Sequence, residues 1–304
     1  MSGRLGVPLG VDLGAESATT TALALERISA PAHNAYSIYR KLRGAYTGPA
    51  LRVRRSSDDA ELDIGFADEL VDVAALLAFV AGASGFVSWL YDHGIFARHL
   101  SQLTPAAQPR IVNAGVLDTY PSGKPAMSFD GVDDNLFRSV PNDTIGLSGN
   151  PNFTAAIVQQ GSGLDKLVFA FGRAGNTNGS GFAISRRGPG LSTFYTSFFG
   201  TQRNYTPLVN PDAQACSYVM EHRTATNSIS TSVRENGVNL VQGTSQGTVI
   251  TPALLDQNLE LGGPIAFPTR GFSGKISTFM LFGEVLSDAL SDQAALDAEL
   301  GAHA

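Results

Sequence analysis

The stretch Ile229-Ser-Thr-Ser-Val-Arg-Glu-Asn-Gly-Val-Asn-Leu-Val-Gln242 decides the fold class. Ile229–Arg234 and Val238–Gln242 are short strand-like runs. Asn236-Gly237 between them is the preferred two-residue hairpin turn, because both residues tolerate positive φ. Working outward, runs of the same kind recur, separated by Gly, Asn, Pro and Ser: Ala126–Phe129, Phe153–Gln159, Leu167–Phe171, Gly181–Ser185, Thr193–Phe199, Ser217–His222, Leu259–Gly262 and Gly274–Phe282. Strands this short and this numerous predict a mainly β sandwich or barrel. Composition agrees. Only 16% of the 304 residues are charged, against 33 glycines and 15 prolines, which suits turns and strands better than a helical bundle.

Before about Arg110 the texture differs. Met1–Ala32 reads as an arm whose apolar residues Leu23, Leu25 and Ile28 either dock on a neighbouring subunit or fray. Asn34–Arg43 suits a short helix capped by Asn34. Ala50–Arg55 alternates, with Leu51 and Val53 inward. Asp68–Val80 carries apolar residues at helical spacing, Phe86–Tyr91 reads as a buried strand, and Leu286–Leu300 as a short amphipathic C-terminal helix. Six basic residues fall between Arg40 and Arg55. Arg40, Arg52, Arg54 and Arg55 are thus a candidate glycan or anion patch, or else partners for Asp58, Asp59, Glu61 and Asp63. The domain division expected is an arm, 1–32, and one domain, 33–304, with a helix-and-strand elaboration (33–104) on a sandwich (105–304).

Several function classes are excluded. A net charge of −6 argues against a nucleic-acid binder. The lone Cys216 rules out an intramolecular disulfide or a multi-cysteine metal cluster and reads as a small buried hydrophobe. No HExxH, Walker A or GxSxG motif occurs, and no cofactor is implied. The longest apolar run, Val73–Ala83, is too short to span a bilayer, and the first 20 residues do not form a secretory leader. Asp130, Asp133 and Asp134 are close enough for a metal but lack a bidentate glutamate, and read as a polar turn. Glu221-His222 reads as surface decoration, since neighbours on a strand face opposite ways.

Ala35-Tyr-Ser-Ile-Tyr-Arg-Lys-Leu-Arg-Gly-Ala-Tyr-Thr-Gly48, Leu51-Arg-Val-Arg-Arg-Ser-Ser-Asp-Asp59 and Trp89-Leu-Tyr-Asp92 with Arg98-His99 resemble the start of the arabinofuranosidase B catalytic domain. The resemblance is closer still to bacteriophage and prophage virion proteins that borrow this segment. Pro125–Asp134 and Gly271–Phe282 resemble a concanavalin A-like, laminin G-like jelly roll, which would carry a small helical N-terminal elaboration and a short C-terminal helix.

Glycoside hydrolysis needs two facing carboxylates. Where the family has its nucleophilic glutamate this sequence has Phe182, and where the acid aspartate follows a Gly-Gly pair it has Pro264. The resemblance with these departures implies a non-enzymatic virion protein, a tail, baseplate or capsid accessory subunit, made in the bacterial cytoplasm and located in the virion. It would bind other virion subunits, self-associate, and either decorate the particle with no ligand or present a lectin-like surface to host glycans. No nucleic-acid contact or membrane insertion is expected. The alternative is an active arabinofuranosidase-type hydrolase acting on host surface polysaccharide.

Overall fold

The computed structural model describes residues 22–304, apart from 140–144, 150, 163, 173–180, 188–193, 199–200, 226–227, 248–252, 255–257 and 264–270. Two antiparallel sheets pack face to face. In the back sheet, Ala32–Ser37 pairs with Ser273–Phe282, which pairs with Phe153–Ser162, then Cys216–Ala225, Ser228–Glu235 and Val238–Asn239. The front sheet runs Glu61–Ile64, Leu51–Arg55, Gly85–Leu90, Leu100–Ser101, Leu136–Ser139, Asn258–Leu261, Leu164–Gly172, Gly181–Arg187, Phe194–Phe198, Thr201–Tyr205 and Gln242–Gly247. Arg110–Asn113 and Met127–Asp130 bridge the sheets, so the ladder is continuous.

The Asn236-Gly237 hairpin forms with φ of 49° and 79°. Its second strand is shorter than the pattern suggests. Only Val238–Asn239 stays in the hairpin, and Gln242–Gly247 leaves to pair with Thr201–Tyr205 in the front sheet. Between the sheets, Phe153, Phe169, Phe171, Phe182 and Phe279 interlock with ring centroids 4.9–6.3 Å apart. Edge-to-face pairs of this kind add about 0.5–1.5 kcal/mol each beyond area burial.

Three local expectations change. Ala32–Ser37 is a strand where a helix capped by Asn34 was expected. Its residues are buried on both faces, and the ladder to Ser273–Phe282 outweighs local helical preference. The helix expected from Asp68 begins at Val73, because Phe66–Ala67 and Leu70–Val71 form a small hairpin and Asp72 caps the helix by accepting from Ala75 N at 2.9 Å. The C-terminal helix spans Leu290–His303 after a 3₁₀ turn, Leu286–Asp288, and carries no side-chain N-cap.

The C-terminal helix lies on the outer face of the back sheet and buries Ala295, Leu296 and Leu300 against Ala156, Val158, Val219, Met280 and Phe282. It also holds the end of the arm. Ala24–Arg27 forms one helical turn, with Leu23 and Ile28 buried. Arg27 Nη2 meets Glu299 Oε2 at 2.9 Å, and Ser29 donates to Asp292 Oδ2 from N (3.0 Å) and Oγ (2.6 Å). Leu23 and Ile28 thus find their apolar cover inside their own chain and need no neighbouring copy. Leu25 is half-buried. Residues 1–21 of the expected arm lie outside the described residues.

Ile28→Ala should destabilise the isolated chain by about 2–5 kcal/mol, as for other buried Ile truncations, in urea unfolding at low protein concentration. An unchanged midpoint would show that Ile28 is not docked on its own C-terminal helix.

Candidate functional site

One line of directly opposed residues crosses the outer face of the front sheet. It runs Asp63, Arg52, Trp89, Ser101, Phe137, Glu260, Ala170, Ala183, each the register partner of the next. Opposed residues share a face, and their neighbours along each strand point the other way. Leu51, Leu90, Leu136, Leu259, Leu261, Phe169, Phe171 and Phe182 accordingly fill the core. Ala170 and Ala183, with Leu167, form a separate small apolar cluster on the outer face.

Glu260 stands between Phe137 and Ala170 in this line and is 1% exposed. Its strand ends in Gly262-Gly263. Gly262 has φ +90°, and a Cβ there would lie 2.2 Å from the Phe129 ring, so only glycine fits.

At the edge of the line, Arg52 grips Asp63 through two bonds of 2.7 and 2.9 Å, and Tyr91 Oη donates to Asp63 Oδ1 at 2.8 Å. The Arg52 hydrogen bond holds the Asp63 carboxyl below the usual range. Burial, then the Asp63 bond, push the Tyr91 phenol up to about 12. Tyr91 stacks beside Trp89 at 6.3 Å and 20° and meets His99 edge-on at 5.0 Å.

Behind these aromatics, Asp92 is buried and accepts backbone N–H bonds from Ala35, Gly94 and Arg98, each at 2.9 Å. His93 is also buried, stacked on Tyr46 at 4.8 Å, and burial lowers its pKa to about 3.

A second acidic group lies apart. Asp130, Asp133 and Asp134 carry carboxylate oxygens within 4.8 Å of one another. Asp134 lines a cavity of about 310 Å³ with Phe86, Gln108, Arg110 and Ser128. Burial, reinforced by the charges of Asp130 and Asp133, raises its carboxyl to about 7. The turn itself bonds two of these acids: Asp134 accepts from Asp130 N and Asp130 from Val132 N, both at 2.8 Å.

The four candidate patch arginines are each committed to an acid. Arg40 meets Glu69 (2.7 Å) and Glu299 (3.6 Å), Arg52 meets Asp63, Arg54 meets Asp59 (2.7 Å), and Arg55 meets Asp58 (2.7 Å). Glu221 and His222 do face opposite sides of their strand, but neither is on the surface: they are 3% and 0% exposed. Glu221 accepts from Ser287 N and Oγ, and His222 packs on Phe153. Cys216 is buried as expected. No helix among the described residues is long and apolar enough to cross a membrane.

Phe182 lies in the phenylalanine core, so a carboxylate at 182 would face aromatic rings and not a sugar. Its absence there removes nothing from the outer face, and Pro264 lies outside the described residues. The signal for Glu260 was its place on a strand ending in Gly-Gly, between two leucines that take the inward positions.

Residues 26–127 match the family model of the α-L-arabinofuranosidase B catalytic domain. The chain is 37% identical over 76 residues to an α-L-arabinofuranosidase of Hypocrea jecorina, and 36% over 77 residues to a probable α-L-arabinofuranosidase B of Aspergillus terreus. Each match covers 25% of this chain and 15% of the relative's length. In structure, an arabinofuranosidase complexed with arabinofuranosyl-α-1,2-xylobiose superposes with a TM-score of 0.68 at 16% identity, covering 92% of this chain and 64% of that one. An α-L-arabinofuranosidase soaked with a cyclic sulfate inhibitor gives the same TM-score and coverage at 14% identity.

These matches overturn the virion reading. The tail, baseplate or capsid role, the virion location and the non-enzymatic assignment all rested on Phe182, Pro264 and a phage likeness. The relatives found are arabinofuranosidases, and Phe182 is a core residue.

Asp134→Asn gives a pH test of the acidic turn. A carboxyl that holds its proton more tightly when folded adds stability at low pH and loses it as pH rises to its folded pKa. That contribution is complete below about pH 4 and fades toward pH 7. The wild-type melting temperature relative to Asp134→Asn should therefore fall from pH 4 to pH 7. A difference that grows with pH would mean Asp134 is ionised in the folded chain. Residues 26–127 are thus similar in sequence to the arabinofuranosidase B catalytic domain, and 92% of the chain is similar in fold to a solved arabinofuranosidase.

Proposed function

We propose that the protein is a glycoside hydrolase of arabinofuranosidase type that removes α-L-arabinofuranosyl groups from a larger carbohydrate, with Glu260 as one of its reacting carboxylates. One observation carries this reading. A single line across the outer sheet face joins Arg52, Trp89 and Ser101, inside the family-matched segment, to Glu260 on the strand ending in Gly262-Gly263. The relative solved with arabinofuranosyl-α-1,2-xylobiose supports an arabinose branch on a xylose chain as the substrate class.

A carboxylate in this chemistry acts as nucleophile, proton donor or base according to its separation from a second one. That separation is about 5 Å in retaining and about 6.5–9.5 Å in inverting enzymes. Burial beneath the face suits Glu260 to such a role, because a water-poor site strengthens its interaction with charge developing on the sugar. Asp134 fits less well despite its raised pKa, since it lies in a turn apart from the line of outer-face residues.

Purified protein should hydrolyse 4-nitrophenyl α-L-arabinofuranoside. Glu260→Gln, a near-isosteric change, should lower kcat by about 10²–10⁴-fold while the circular dichroism spectrum is retained. Full turnover by Glu260→Gln would move the reaction to another acid. Binding of arabinofuranosides by the folded protein without any turnover would overturn the hydrolase reading.

A further inference from the structure

We propose that Trp89 and Phe137, with Tyr91 packed beside Trp89, form a stacking platform for the xylose main chain of the substrate, leading away from the point of cleavage. The proposal rests on the hydrolase reading for its substrate class. Trp89, Ser101 and Phe137 are consecutive members of the outer-face line, so two large rings flank one small residue across three adjacent strands. All three positions are partly exposed. Ser101 leaves a floor between the rings where a sugar can lie with its C–H face against them.

Tyr91 packs beside Trp89 along the strand, the two rings 6.3 Å apart and 20° from parallel. It is held from two sides, by its bond to Asp63 and by the edge contact with His99. Asp63 is in turn fixed by Arg52. The aromatic surface is thus pre-ordered, and little side-chain freedom is lost when a ligand settles on it.

The chemistry points to a neutral, extended ligand. The Arg52–Asp63 ion pair at the platform closes on itself, so neither charge is left for an ionic ligand. Its oxygens and N–H groups still offer hydrogen bonds to hydroxyls at the rim. The rings are half-buried in the free chain. Trp89 stands three strand spacings from Glu260, roughly 14 Å, so an occupant long enough to reach both is an oligosaccharide.

Trp89 is the only tryptophan in the chain, so intrinsic emission reports this position directly. The full chain is titrated with xylohexaose, which has no arabinose to release and so separates binding from turnover. A saturable change in emission is expected, with weaker binding by xylose alone. By calorimetry, Trp89→Ala and Phe137→Ala should each weaken xylohexaose binding at least tenfold. Trp89→Phe should restore most of it, and Val241→Ser, at a remote exposed position, should leave it unchanged. No emission change and no heat from folded protein that still cleaves the aryl arabinofuranoside would overturn the platform and leave the hydrolase reading standing. Binding without any aryl turnover would do the reverse. Emission that follows protein concentration, with dimers in sedimentation, would make the face a contact between copies and also overturn the proposal.

Discussion

The buried Asp92 carboxylate is the contact on which the first half of the molecule depends. A charge in the interior is costly unless hydrogen bonds replace its water. Asp92 has three, from the backbone N–H groups of Ala35, Gly94 and Arg98. Burial still pushes its pKa up, against the pull of those bonds. The result is a clamp between Ala32–Ser37 in the back sheet and the chain that follows Trp89 and Tyr91 in the front sheet. Tyr36 closes the same knot, its hydroxyl donating to Arg98 O. The aromatic outer face therefore cannot shift without moving the back sheet.

A second polar knot fastens the chain end. Glu299 takes the charges of Arg27 and Arg40 and the ring of His303, at 2.9, 3.6 and 2.9 Å. Burial alone would raise the Glu299 carboxyl, but the His303 bond and the two arginines outweigh it and hold it below its usual value. His303 bonds Thr278 on its other side at 2.5 Å. This hydroxyl–imidazole–carboxylate arrangement has the order of a nucleophilic triad, yet every member is at most 1% exposed. It holds the helix to the sheet, with His303 and Glu299 on the helix and Thr278 on the strand beneath.

Much of this architecture was legible in local text. The Asn236-Gly237 turn, the inward Leu51 and Val53, the strand before Trp89 and the C-terminal helix follow from backbone preference and hydrophobic period. The pairing of Arg52, Arg54 and Arg55 with the acids after them was one of two open readings, and the opposed strand (Asp63) and the turn before it (Asp58, Asp59) realise it. The strand at Ala32–Ser37 was not legible, because its residues are buried on both faces and give no alternation. The true environment of Phe182 was also hidden. Matching words in two sequences does not say which way a strand residue points.

The sequence by itself determined the fold class, the turn chemistry and the kinship of the first third, because these depend on neighbours within a few residues. Only the tertiary structure decided the site. Asp63, Trp89, Phe137 and Glu260 come from four strands spread over some two hundred positions, and they share one face solely through antiparallel register. A slip of one residue in any of those pairings would turn the side chain into the core. That register keeps Ile64, Leu90, Leu136, Leu259 and Leu261 in one core, an agreement between distant strands that no local pattern contains.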